Sequence, residues 1–126
     1  MRRLAVLASI VGALVVPASA LAGLPTLPLG KFSAKVKAPA ALKGTWVLNF
    51  AKGGKYTISE NGAVVVRGHF TSTARIYLSG ETGPRACPQF GVYVWKHTGR
   101  TLSFKKVSDP CVGRSLVLAS SFKAAA

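Results

Sequence analysis

The stretch GTWVLNFAKGGKYTISENGAVVVRGHF, residues 44–70, decides the fold. From Thr45 to Phe50, apolar Trp46, Leu48 and Phe50 alternate with Thr45, Val47 and Asn49. A period of two marks a strand with one buried face. Ala51-Lys52-Gly53-Gly54 then supplies a Gly-rich turn, and Lys55–Glu60 resumes the alternation with Tyr56 and Ile58 inward. Asn61-Gly62 follows. Both residues tolerate the positive φ of a type I′ turn, so this pair is the strongest short-range hairpin signal in the chain. Ala63–Phe70 makes a third run, with Val64, Val66 and Phe70 on one face and Arg67 and His69 on the other. Gly68 inside it predicts a bulge or bend.

The same grammar extends in both directions. Upstream, Lys31–Lys37 sets Phe32, Ala34 and Val36 against Lys31, Lys35 and Lys37. This weaker run suits an edge strand, because outer lysines block unwanted pairing; Pro39 ends it. Downstream, Thr73–Ser79 points Ala74, Ile76 and Leu78 inward. Phe90–His97 does so with Tyr93 and Trp95, Thr101–Val107 with Leu102 and Phe104, and Ser115–Phe122 with Leu116, Leu118 and Phe122. No window outside the N-terminal leader holds a helical period. Turns recur roughly every 8–12 residues, the all-β spacing. Short connections favour antiparallel neighbours. Such strands close into an up-and-down barrel or stack as a sandwich, and closure also removes exposed edges.

Residues 1–20 read as a secretory signal: basic Met1-Arg2-Arg3, an apolar stretch Leu4–Val16, then Pro17-Ala18-Ser19-Ala20. The apolar stretch is too short to span a bilayer, which takes about 20 residues. After cleavage no transmembrane segment is expected, and the protein should act secreted or at the cell envelope. Residues 21–41 read as a linker with the edge strand, and 42–123 as the folded domain. The chain carries 17 Lys and Arg against 3 acidic residues, a net charge of +14 that the loss of Arg2 and Arg3 lowers by two. Such an excess attracts anionic surfaces. Cys87 and Cys111, both in the exported part, should form one disulfide in an oxidising compartment. Closing a loop of about 25 residues is worth roughly 3 kcal/mol.

Catalytic chemistry finds little to work with. Glu60 and Glu81 read as solvated, and Asp109, before Pro110, as a turn former. No Gly-x-Ser-x-Gly elbow accompanies His69 or His97. No close-spaced ligand pair suits a metal, and no Cys-x-x-Cys suits redox work. The expectation is therefore a non-enzyme with no catalytic residues, no metal and no cofactor.

Gly44-Thr45-Trp46 resembles the Gly-x-Trp signature of lipocalins, and Arg114 resembles the arginine that packs over that Trp. Gly91-x-Tyr93-x-Trp95 and Ser108-Asp109-Pro110-Cys111-x-Gly113-Arg114 add to a likeness with small exported bacterial lipocalin-like (calycin) domains, over residues 42–122. The second lipocalin signature, Thr-Asp-Tyr, is absent. A helix like the one that packs beside the larger barrels is not expected either, a second departure from the pattern; the resemblance implies a small β-barrel and structural roles for Trp46 and Arg114 in closing the barrel floor through a cation–π contact. The fold class expected is all-β: an antiparallel meander of about eight strands closing into a barrel, with one disulfide.

Two functions follow as expectations. One is a carrier or sensor of a small apolar or amphipathic ligand, with Tyr56, Tyr93, Trp95 and Phe104 lining the pocket. The other is a basic interaction module with a filled core, meeting an anionic envelope polymer or a partner protein such as an enzyme. Lys31, Lys35, Lys37, Arg67, Arg75, Lys96, Lys105 and Lys106 would carry it. Nucleic acid ranks low, since no stacking aromatics interleave the basic residues. An eight-stranded interior is either filled by side chains or holds one small ligand.

Overall fold

The computed structural model describes residues 26–125; the export signal expected over residues 1–20 lies outside them. Eight antiparallel strands form a meander that closes on itself. They are β1 (Gly30–Val36), β2 (Gly44–Ala51), β3 (Lys55–Glu60), β4 (Ala63–Ser72), β5 (Arg75–Thr82), β6 (Gly91–Thr98), β7 (Thr101–Ser108) and β8 (Phe122–Ala124). A single 3-10 turn spans Ala40–Leu42. Between β7 and β8 lies a helix, α1 (Val112–Leu118).

The hairpins fall where the turn residues require. Asn61 at φ 50° and Gly62 at φ 87° turn β3 into β4. Asn61 also braces the neighbouring strand, its Oδ1 accepting the Thr45 amide at 2.9 Å. The weak N-terminal run is not an edge. All seven β1 residues pair with β2, and Phe32 and Ser33 pair with Ala124 and Lys123 of β8. The barrel therefore begins at Gly30, earlier than residue 42. Leu27, in the stretch read as linker, is itself buried in the core.

The inward faces follow the alternation over most of the barrel. Trp46, Leu48, Phe50, Tyr56, Ile58, Val66, Phe70, Ile76, Leu78, Tyr93, Leu102, Leu118 and Phe122 are buried. Trp95 and Phe104 are partly buried against this core, and three expected inward residues are exposed. Val64 is exposed because the β3–β4 register slips between Ile58 and Ser59, leaving Val65 as the partly buried residue. Ala74 sits in the exposed bend before β5. Leu116 is exposed because Ser115–Leu118 is helix, not strand. Its buried set is Arg114, Val117 and Leu118, which is the i, i+3, i+4 spacing of one helical face. The register also shifts across Gly68, as its position foretold. A Cβ there would stand 2.6 Å from Cζ and Oη of Tyr56, so the missing side chain makes room for that ring.

Candidate functional site

The barrel interior is filled. Phe50 meets Phe70 edge-on with ring centroids 5.2 Å apart, and Phe104 lies against Tyr93 at 6.4 Å and Phe122 at 6.1 Å. The space left between Leu48, Phe50, Tyr56, Ile58, Ile76, Leu78, Phe104 and Leu118 is about 10 Å³, at the lower limit for one water. Tyr56 and Phe104 border this remnant. Tyr93 is fully buried, and Trp95 is half-buried with its Nε1 donating to the Thr73 carbonyl at 2.7 Å. Tyr56 and Tyr93 thus belong to the core, with Trp95 and Phe104 packed against it.

A pocket of about 250 Å³ lies instead at one end of the barrel. Three elements converge there: the 3-10 turn before β2, the loop after β5, and α1. Its walls include Leu42, Trp46, Ile58, Val66, Pro84, Ala86, Val117 and Leu118, with Glu81, Arg85 and Arg114 as charged members. Leu118 also borders the remnant inside, so α1 plugs the barrel and roofs the pocket at once. Trp46 is fixed in the wall by its Nε1, which donates to the Leu42 carbonyl at 2.7 Å. The cation over its ring is Arg85, at 5.8 Å, and not Arg114. Arg85 is held in turn by Glu60 at 2.8 and 3.0 Å and by the Ala41 carbonyl at 3.1 Å.

Arg114 does different work. Its Nε and Nη2 donate to the two Asp109 oxygens at 2.7 and 2.8 Å, and Nη2 also reaches the Gln89 carbonyl at 2.8 Å. Its Nη1 lies 3.3 Å from Glu81 Oε1. The Tyr93 hydroxyl donates to Asp109, and the Tyr56 hydroxyl to Glu81. Each carboxylate also accepts a half-cystine amide: Glu81 from Cys87 at 2.8 Å, Asp109 from Cys111 at 2.9 Å. The Cys87–Cys111 disulfide, with Cα atoms 6.2 Å apart, ties together the two loops that carry these acids. The result is one buried chain, Tyr56–Glu81–Arg114–Asp109–Tyr93. Gly91 leaves space for its centre, since a Cβ there would stand 2.8 Å from Arg114 Nη2 and 3.0 Å from Asp109 Oδ2.

Glu81 is thus not solvated; its side chain is 1 % exposed. Asp109 does form the expected turn, through the Cys111 amide, and anchors a buried arginine as well. Burial alone would raise the Asp109 carboxyl, but hydrogen bonds from Arg114, Tyr93 and the Cys111 amide outweigh it and hold the group below the usual carboxylate range. Burial first, then the bond to a carboxylate, pushes the Tyr56 and Tyr93 hydroxyls far above their ordinary value. Arg114 is locked in its charged form: its burial is outweighed by Asp109 and Glu81.

All three acidic residues of the chain therefore bind arginines at this one end. The basic residues expected to serve a polyanion are exposed; they come from β1, the residue after it, β4, β5, β6 and β7. Among the described residues no group of three or more His, Cys, Asp or Glu is placed to hold a metal ion, and no helix is long and apolar enough to cross a membrane. No family model, curated protein or solved structure matches this chain.

Proposed function

We propose that this chain is an exported, lipocalin-like binding protein whose ligand site is the pocket under α1 rather than the barrel interior. The observation that carries the reading is the contrast in space: about 250 Å³ beneath the helix against about 10 Å³ inside. Concave, mostly apolar sites with a few converging polar groups are where small molecules bind. This pocket has apolar walls from the barrel and from α1, and a charged edge from Glu81, Arg85 and Arg114. An engineered apolar cavity of about 150 Å³ takes benzene, so a site of this size suits one ring with a short substituent.

The test is fluorescence. Trp46 forms part of the pocket wall and Trp95 does not, so a Trp95→Phe protein reports on Trp46 alone. Titration with small aromatic and alicyclic compounds should give a saturable change. Gly113 borders the pocket, and a Cβ there would meet nothing within 4 Å, so Gly113→Leu is expected to fill the site and abolish the change while the barrel stays folded. No saturable change across such a panel would sink the reading.

A second reading draws on the filled interior and the exposed lysines and arginines: a basic module that meets an anionic polymer or a partner protein. It predicts retention on an anionic matrix that depends on Lys35, Lys37, Lys105 and Lys106. Unchanged retention when all four are replaced by Ser would count against it.

A further inference from the structure

With 17 basic residues against three acids, this protein has no unpaired acidic side chain, and its two most exposed large apolar side chains stand at one end of the barrel. We propose that the α1 end of the barrel docks on an anionic phospholipid surface. Phe90, Val112 and Leu116 enter the headgroup layer, and the lysines around them meet the lipid phosphates. The proposal does not rest on the pocket holding a ligand.

An antiparallel meander puts every second connection at the same end. The α1 end collects the β1–β2, β3–β4 and β5–β6 connections and the segment between β7 and β8. Phe90, just before β6, is 68 % exposed, and Val112, at the start of α1, is 70 % exposed. Leu116 lies at i+4 from Val112, on the face of α1 opposite the buried Arg114, Val117 and Leu118. These side chains stand on fixed backbone. The Cys87–Cys111 disulfide joins their two segments with Cα atoms 6.2 Å apart, and the Gln89 carbonyl beside Phe90 accepts Arg114 Nη2 at 2.8 Å. Apolar groups gathered in water on a fixed frame mark an interaction surface. The β2–β3, β4–β5 and β6–β7 turns, at the opposite end, expose no large apolar residue.

Charge chooses the occupant. Lys37 and Lys43 flank the β1–β2 connection, and Lys105 and Lys106 come just before the end of β7; all four are exposed. Glu60 is paired with Arg85, and Glu81 and Asp109 with Arg114, so no free acid repels an anion. An acidic polymer would match the lysines and leave Phe90 and Val112 in water. A phospholipid surface matches both, with phosphates outside and acyl chains beneath. Lysine stems can lie along the apolar layer while their ammonium groups stay at headgroup level. The other lysines and arginines are distributed around the barrel. They add attraction without fixing a register, which suits a fluid surface better than the fixed charges of a protein partner.

The experiment is sedimentation of the full exported chain with vesicles of phosphatidylcholine alone, or of phosphatidylcholine and phosphatidylglycerol in equal parts. At low salt the chain should bind the mixed vesicles and not the neutral ones. Phe90→Ser, Val112→Ser and Leu116→Ser together should weaken binding by about tenfold or more. Tyr77→Ser with Val94→Ser, exposed on the barrel wall, should leave it unchanged. Lys105→Ser and Lys106→Ser should each weaken it about fivefold. All these side chains are exposed, and circular dichroism checks that the variants fold. In small bicelles of the mixed lipid doped with a paramagnetic headgroup, the amide signals of Phe90, Val112 and Leu116 should broaden, and those of Gly53 and Gly99 at the opposite end should not. Retention on poly-glutamate, which offers charge alone, should be indifferent to the three apolar replacements. Absence of binding to the mixed vesicles, or binding that the triple variant keeps, overturns the proposal. Self-association of the free chain that the triple variant loses, without vesicle binding, would give this end to a second copy and overturn it as well. The titration with aromatic compounds that tests the pocket is independent of each of these outcomes.

Discussion

Replacing Arg114 with Met should convert the best-paired part of this protein into its weakest. Met keeps much of the aliphatic volume and removes the guanidinium. Two carboxylates, Glu81 at 1 % and Asp109 at 0 % side-chain exposure, then stay buried without their cation. Breaking a buried ion pair by removing one partner costs about 3–5 kcal/mol. For a domain of about 100 residues, each kcal/mol shifts Tm by roughly 4–8 °C, so a fall of at least about 12 °C is expected at pH 7. The pH dependence gives a sharper reading. In the native protein the Asp109 pKa lies below its unfolded value. Its stabilising contribution is therefore complete above about pH 4 and lost as pH falls through the lower, folded value. Native stability should change little through this group between pH 7 and about pH 5. In Arg114→Met, burial acts on Asp109 with only Tyr93 and the Cys111 amide to oppose it. Protonation then relieves a desolvated charge, and stability should rise on acidification over the same interval. Adding Asp109→Asn should recover part of the loss and flatten that slope. The assay is thermal and urea unfolding followed by circular dichroism at pH 7 and pH 5. A variant that melts within about 5 °C of the native protein, or that loses stability on acidification in parallel with it, would refute the reasoning.

Three further outcomes are expected. Gly91→Ala should destabilise by about 1–3 kcal/mol, the cost of overpacking, because its Cβ would press on Arg114 and Asp109; a urea midpoint shift with unchanged slope checks it. Replacing both Cys87 and Cys111 by Ser should cost about 3 kcal/mol through the freed loop and loosen the two carboxylates that bind their amides; amide hydrogen exchange should quicken at Cys87→Ser and Cys111→Ser before it does in β2. Of the three tyrosines, Tyr56 and Tyr93 should resist ionisation until the barrel opens. Their folded values lie above the unfolded one, so stability should fall as pH rises past about 10, and a step in phenolate absorbance should coincide with unfolding.

Strand periodicity carried most of the barrel, since a residue's parity decides its face as long as the ladder is regular. Parity fails at a bulge, where one inserted residue moves everything beyond it to the other face. On β5 the ladder to β4 shifts between the Arg67–Thr82 and His69–Ser79 pairs, with Gly80 at φ 60° in between. Ile76 and Leu78 point inward before it, and Glu81, odd in number, points inward after it. On β7 the ladder to β6 shifts between the Val92–Ser108 and Tyr93–Lys106 pairs. Leu102 lies inward before that slip and Asp109 after it. Both carboxylates lie just past the ends of the alternating runs, Glu81 read as a solvated loop residue and Asp109 as a turn former, and in each case a one-residue slip near the strand end turns the side chain inward.

Helix α1 hid behind the same cluster. Its buried positions are 114, 117 and 118, but the first is an arginine, so a search for apolar residues sees only Val117 and Leu118. Leu116, Leu118 and Phe122 then mimic a strand face. An arginine becomes a core residue only when acids are buried beside it, and those acids are the ones that the bulges turn inward. The helix, the two slips and the disulfide are thus one device rather than four features. The bulges deliver Glu81 and Asp109, Arg114 joins them, the half-cystine amides fix their angles, and the helix that carries Arg114 is drawn down over the barrel end. The pocket lies between that helix and the barrel, walled by both and by the salt-bridged arginine itself. A filled barrel needs no such cap for its interior. The cap's geometric product is a cavity at the end, so the proposed site lies where the alternation of the sequence breaks down.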